Sequence, residues 1–187
     1  MGKDYNEDGQ LENEGLFHNG ELLNGKVYSP EKDSYEGEYL AGEKHGKGKE
    51  YRYDINIIEF EAEYYFGEKK QGIKYDKEGN KKFEGDYLND QYWKGIKYKK
   101  GKFVFDGEFQ EKKEWTGKIL KYDDEGELKY EGNYLYGKKH GKGKKYKNKK
   151  LKFEGEYYYG KKWKGKFYDY FSEELKEECK YLYGKKN

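Results

Sequence analysis

The sequence holds 187 residues, 42% charged and 33% hydrophobic, yet 40 basic against 38 acidic side chains leave a net charge of only +2. No stretch approaches the roughly 18 apolar residues that cross a bilayer as a helix, and a lone cysteine, Cys179, excludes a disulfide framework and a cysteine-rich zinc site. Low hydrophobicity argues for disorder; 24 Tyr, 10 Phe and 3 Trp argue against it, because each buried ring removes roughly 150 to 250 Å² from water.

Residues 1–10 hold no apolar run, carry no secretory signal and read as an N-terminal tail. The rest, 11–187, reads as one domain of repeats. A degenerate first copy, Asn13-Glu14-Gly15-Leu16-Phe17, precedes Tyr35-Glu36-Gly37-Glu38-Tyr39, Phe60-Glu61-Ala62-Glu63-Tyr64 and Phe83-Glu84-Gly85-Asp86-Tyr87. Phe105-Asp106-Gly107-Glu108-Phe109, Tyr130-Glu131-Gly132-Asn133-Tyr134 and Phe153-Glu154-Gly155-Glu156-Tyr157 follow, and Glu177-Glu178-Cys179-Lys180-Tyr181 closes the series as a second degenerate cap. The central positions lie 22 to 25 residues apart. Such a period marks a stacked repeat architecture of eight related units.

Each unit reads as a β-hairpin. Rings and glycine share one parity and carboxylates the other, so they point to opposite faces of a strand. A Gly- and Lys-rich turn follows, as at Ala41-Gly42-Glu43-Lys44 and Tyr159-Gly160-Lys161-Lys162. The return strand carries another glycine and then an aromatic three residues on, as from Gly48 to Tyr51 and from Gly165 to Tyr168. In the fourth unit two extra residues intervene, and Gly117 leads to Tyr122. Short polar links such as Asp76-Lys77-Glu78-Gly79-Asn80 join one hairpin to the next. The expected fold is all-β: an elongated, single-layer antiparallel meander of about fifteen strands and roughly 70 Å, twisted and curled. Strand glycines mark close approach, so rings of adjacent strands are expected to lie over the glycine row.

With the repeat written out, the chain resembles the MORN family (membrane occupation and recognition nexus). Tyr35 to Tyr39 followed by His45-Gly46-Lys47-Gly48, and Tyr130 to Tyr134 followed by His140-Gly141-Lys142-Gly143, are the closest copies of its pattern. Ala62 and Cys179 depart from the central Gly, Asp90 departs from the turn Gly, and four full copies lack the His-Gly step. The resemblance implies a cytoplasmic scaffold at membranes or cytoskeleton. The Lys-Lys-x-x-Gly turns also look like the bacterial YwqK branch, which implies an antitoxin that neutralises a partner toxin.

Catalysis is not expected. The carboxylates belong to the repeat and should pair with lysines across strands, each pair contributing about 0.2 to 1 kcal/mol. His45 and His140 stand four units apart, on the order of 40 Å at two strands per unit, and cannot share a metal. No cofactor is expected. Arg52 is the only arginine, which argues against specific nucleic-acid readout.

Trp93, Trp115 and Trp163 each precede a return-strand glycine by two residues. That parity favours core rings packed on glycine; the alternative is an exposed aromatic strip for a protein partner. The segment from Lys138 to Lys152 holds nine lysines and no acid. Lys138, Lys139, Lys142, Lys144 and Lys145 are therefore the candidate contacts for anionic lipid. Residues 172–179 are readable as a short helix capped by Ser172 or as a strand-like cap, and alignment of Leu175 to Lys186 with Leu151 to Lys162 favours the strand. A free terminal edge with aromatics also makes homodimerisation through a terminal repeat an expectation.

Overall fold

The computed structural model describes residues 1–28, 34–52, 57–169, 171–172, 174–182 and 185–186, and no helix occurs among them. Two compact units divide the chain at Gly101 and Lys102. Unit 1 contains β1 (Gly2–Tyr5), β2 (Leu11–His18), β3 (Glu21–Val27), β4 (Ser34–Leu40), β5 (Glu43–Tyr51), β6 (Ile58–Tyr65), β7 (Glu68–Tyr75), β8 (Lys81–Leu88) and β9 (Gln91–Lys99). Unit 2 contains β10 (Lys102–Gln110), β11 (Lys113–Tyr122), β12 (Leu128–Leu135), β13 (Lys138–Lys147), β14 (Lys150–Tyr158), β15 (Lys161–Tyr168), β16 (Leu175–Leu182) and β17 (Lys185–Lys186). Within each unit every strand pairs antiparallel with the next, the meander that the short links require.

Two-residue turns close the hairpins. Both central residues have positive φ, as at Ala41 and Gly42 (51° and 78°) and at Tyr159 and Gly160 (44° and 91°). Positive φ at both positions is the requirement of the turn whose twist matches paired strands. Three of the links between hairpins share a different device, while Asn148-Lys149 is again a two-residue turn with positive φ. The Asp76 carboxylate accepts from the backbone N–H groups of Glu78 and Asn80, at 3.0 and 2.8 Å. Asn6 Oδ1 does the same for Asp8 and Gln10, and Asp123 for Glu127. Residues 1–10 are thus not a tail: β1 pairs with β2, and residues 6–10 form a link of the same build as 76–80. At the other end β16 settles the strand reading of 175–179, with Ser172 in the turn before it.

The core is a row of rings over a row of bare glycines. In unit 1 the cross-strand ladder runs Gly15, Gly25, Gly37, Gly48, Ala62, Gly72, Gly85, Gly95. Tyr35, Phe83, Phe105, Tyr130 and Phe153, the first rings of their repeats, are at most 2% exposed. A methyl group placed on Gly155 would lie 2.6 Å from Gly165 Cα and 2.7 Å from Phe153 Cζ. Phe153 meets a methyl on Gly165 at the same 2.7 Å. The covering ring therefore comes from two residues upstream on the glycine's own strand, not from an adjacent strand as expected, and it seals the glycine opposite as well. Second rings pack edge-on against the first: Phe153 to Tyr157 at 5.5 Å, Phe83 to Tyr87 at 5.3 Å and Phe105 to Phe109 at 5.0 Å between centroids.

Two departures in sequence have structural counterparts. At Ala62 the methyl occupies the space a covering ring would take, and Phe60, two residues upstream, is only half-buried. In unit 2 the two extra residues of β11 shift the ladder. Gly117 faces Gly107 on one side but Tyr134 on the other, while Ile119 faces Gly132. A shift of two preserves the face of every side chain, and Ile119 is buried in the core.

Candidate interaction face

The face opposite the rings carries charge. Glu14, Lys26, Glu36, Lys49 and Glu61 lie directly across from one another on β2 to β6. Glu131, Lys144, Glu154, Lys166 and Glu178 do so on β12 to β16. Ion pairs close along these rows, Lys49 with Glu61 at 3.1 Å and Lys144 with Glu154 at 3.4 Å. A second row, containing Lys142, Glu156, Lys164 and Lys180 in unit 2, runs parallel to the first. Between the two rows the glycine backbone forms the floor of an open trough lined by Glu154, Glu156, Lys164, Lys166, Glu178 and Lys180.

Tyrosines flank the carboxylate row. The hydroxyl of Tyr28 donates to Glu14 at 2.6 Å, Tyr51 to Glu36 at 2.9 Å, Tyr75 to Glu61 at 2.7 Å and Tyr146 to Glu131 at 2.7 Å. These are the return-strand aromatics of the repeat, so every such hairpin clasps its own first glutamate. The hydrogen bond from Tyr75, with Lys49 beside it, holds the Glu61 carboxyl below its usual range. Burial and the bond to Glu61 in turn push the Tyr75 phenol up to about 12.

The three tryptophans do not enter the core. Trp93 and Trp163 are 48% and 51% exposed, and Trp115 is half-buried. The reason is a β-bulge at each position. Tyr157 pairs with Lys162 while the adjacent Glu156 pairs with Lys164, which leaves Trp163 as the extra residue. The same skip leaves out Trp93 and Trp115, and a bulge re-aims a side chain that strict alternation would bury. The sequence does contain the signal. Three residues separate Gly155 from its turn, and four separate the turn from Gly165.

The hairpins with a His-Gly step carry five residues on the return side, and His45 and His140 stand at the bulge there. On these bulge residues sits the turn of the next hairpin. Phe66 packs on His45 at 5.2 Å, Tyr136 on Trp115 at 5.4 Å and Tyr159 on His140 at 4.9 Å. The turn glycine behind each ring donates its N–H to the earlier hairpin: Gly67 to Lys44 O, Gly137 to Trp115 O and Gly160 to Lys139 O. Phe66, Tyr136 and Tyr159 hold φ of 45°, 52° and 44°, a left-handed conformation that bulky residues adopt at a cost. Tyr158 adds contacts to Tyr159 at 4.8 Å and to Trp163 at 6.0 Å. The result, in each unit by itself, is an aromatic rim along the turns. Tyr65, Tyr136, Tyr158 and Trp163 each expose more than half of their surface.

The five lysines singled out for lipid do not share a surface. Lys138, Lys142 and Lys144 have the parity of the charged face, with Lys142 opposite Glu156 and Lys144 opposite Glu131 and Glu154. Lys139 and Lys145 lie on the ring face, where Lys139 Nζ sits 3.7 Å from the Tyr130 ring centroid and Lys145 stands across from Tyr130 and Phe153. Among the described residues no three His, Cys, Asp or Glu side chains converge so as to hold a metal ion, and no helix is long and apolar enough to cross a membrane. No known protein-family profile matches the chain, and no curated protein matches it in sequence.

Proposed function

We propose that this chain is a non-catalytic scaffold of MORN-like repeats that binds a protein partner on its charged face, with the aromatic rim as the anchor. The observation that carries the reading is the rim itself. Asn19 and Asn89 show that asparagine fills the same turn position, where it costs less than a ring. Phe66, Tyr136 and Tyr159 therefore put large apolar surface at the rim against local backbone preference. Tyr and Trp beside a polar field are favoured anchors in protein interfaces. The carboxylates, taken up by lysines and tyrosines across the strands, support a non-catalytic role.

A flat lipid surface can engage only one face of a sheet, and the candidate lysines divide between two. That division favours a protein over a bilayer. The test is affinity capture from the native source with the wild-type chain and with a Tyr158→Ala, Trp163→Ala double variant. Capture lost by a double variant that still melts like wild type supports the rim as anchor. Undiminished capture overturns it, and binding to anionic vesicles that collapses with added salt assigns the function to lipid instead.

A further inference from the structure

The ring face repeats one constellation in both units with a change of charge. In unit 1, Glu50 on β5 receives Lys44 at 2.7 Å and Lys69 at 3.1 Å. Glu50 stands across from Tyr35 and Phe60, Lys44 across from Tyr39, and Lys69 across from Tyr64. In unit 2 the same places are held by Lys145 across from Tyr130 and Phe153, Lys139 across from Tyr134, and Lys162 across from Tyr157. The carboxylate has become a third lysine. Val27, across from Tyr35, is likewise replaced by Lys121, across from Tyr130.

Lys139 lies over the Tyr130 and Tyr157 rings, Lys121 over Tyr134 and Lys162 over Phe153 and Phe167, where Glu177 stands across from Phe167. Lys145 stands across from Tyr130 and Phe153. Lys139 and Lys162 are half-buried, while Lys121 and Lys145 are open to solvent. The charges that bear on Lys139 are those of Lys121, Lys145 and Lys162, all positive; burial first, and then these neighbours, push its ammonium down to about 8. The hydroxyls of Tyr157 and of its counterpart Tyr64 are both buried without a hydrogen-bond partner; only Tyr64 has a carboxylate in its field, foremost that of Glu50.

We propose that this part of the ring face of unit 2 binds a phosphate group, whose oxygens take the place that the Glu50 carboxylate fills in unit 1. A phosphate carries more than one charge and three or more acceptor oxygens, which suits the ammonium groups of Lys121, Lys139 and Lys145 better than one carboxylate does. This site lies on the face opposite the charged rows and does not depend on the scaffold reading.

Calorimetric titration of the full chain with inorganic tripolyphosphate at low salt tests the site. The wild type should bind saturably. Lys145→Glu, which restores the unit 1 residue, should weaken binding by about tenfold or more, and Lys121→Val, the other unit 1 residue, by about threefold. Lys142→Glu makes the same charge change on the other face and should stay within about twofold. No saturable binding, or equal losses in Lys145→Glu and Lys142→Glu, overturns the proposal. Sedimentation with vesicles of phosphatidylcholine and phosphatidic acid separates the sources. Capture abolished by Lys145→Glu assigns a lipid headgroup, and tripolyphosphate binding without capture assigns a soluble phosphate.

Discussion

Over nine residues β5 of unit 1 and the matching part of β13 in unit 2 differ only where Glu43 becomes Lys138 and Glu50 becomes Lys145. The His-Gly step, the ladder glycine and the return tyrosine are kept. The change extends to the whole units: unit 1 contains 17 basic and 22 acidic residues, unit 2 contains 23 and 16. Backbone geometry fixes the retained residues, because Gly48 and Gly143 lie under the tyrosine rings of Tyr35 and Tyr130 and leave no room for a side chain. Charge at the other positions is free to diverge, since solvent or a partner can neutralise it. The fold thus resides in the glycine rows and the binding chemistry in the positions between them.

The sharpest way to break this division is to load the row. Gly155→Val should cost more than about 3 kcal/mol, because its atoms would meet the backbone of Gly165 and the Phe153 ring, which cannot both move. Ala62→Gly, which gives unit 1 the ladder residue it lacks, should stay within about 1 kcal/mol of wild type. Urea melts of the full chain check both. Gly155→Val melting like wild type would mean that the rings do not rest on the backbone as described.

Next in size is the charge swap. Glu50→Lys gives unit 1 the unit 2 constellation, strips Lys44 and Lys69 of their half-buried carboxylate and should cost about 2 kcal/mol. Burial raises the Glu50 pKa, but Lys44 and Lys69 outweigh it and hold the carboxyl below its ordinary 4.5. A depressed acid stabilises the fold above its unfolded pKa and loses that contribution as pH falls through the folded one. The gap between wild type and Glu50→Lys should therefore be full at neutral pH and narrow below about pH 4.5. A gap that widens in acid would count against the ion pair.

Tyr75→Phe and Tyr146→Phe compare the units where they agree. Each removes one hydroxyl from a glutamate, at 2.7 Å in both cases, and each should cost about 1 kcal/mol. A large inequality would show that the tyrosine clasp differs between the acidic and the basic unit.

Smaller again is the alkaline behaviour of unit 2. Lys139 on β13 faces Tyr130 and Tyr134 of β12, Lys121 of β11, Tyr157 of β14, Lys162 of β15 and its own neighbour Lys145. With its folded pKa near 8 and an ordinary value of 10.5, the unfolded chain binds more protons between those limits. Stability contributed by this group therefore rises with pH across that window. Tyrosines run the other way: the Tyr157 phenol is raised to about 12 by burial, so its contribution is full below pH 10 and lost above it. A shallow stability maximum near pH 9 to 10 is expected, and Lys145→Glu should flatten it by returning the Lys139 pKa upward. A monotonic fall from pH 7 would contradict the cation cluster.

Much of this was legible in the sequence and some was not. Period-two alternation around Gly37, Gly85 and Gly155 sufficed for strands, faces and the glutamate–lysine rows, because a pleated strand leaves no other arrangement. Which ring covers each glycine is not legible there, since pleat and spacing do not say whether a side chain leans along its own strand or across to the next. The link at residues 6–10 was legible in Asn6 and Gly9, which match Asp76 and Gly79, but a single short strand before it lacks the five-residue motif. The Glu50 and Lys145 contrast needs three strands brought together, and no local spacing reveals it.

The tryptophans show the same limit from the other side, and they give the smallest expected effect. Parity counted along the chain puts Trp163 with Gly165 and Phe167 in the core; the bulge moves it out, to contact Tyr158 at 6.0 Å with half its surface in water. Trp163→Ala should therefore shift the urea midpoint by less than the equivalent of about 1 kcal/mol. Phe153→Ala, ten residues earlier, should cost about 3 to 5 kcal/mol. Two rings of one hairpin would then differ several-fold in their effect. Equal losses would place Trp163 in the core, and the rim would be packing between hairpins rather than a surface held open for a partner.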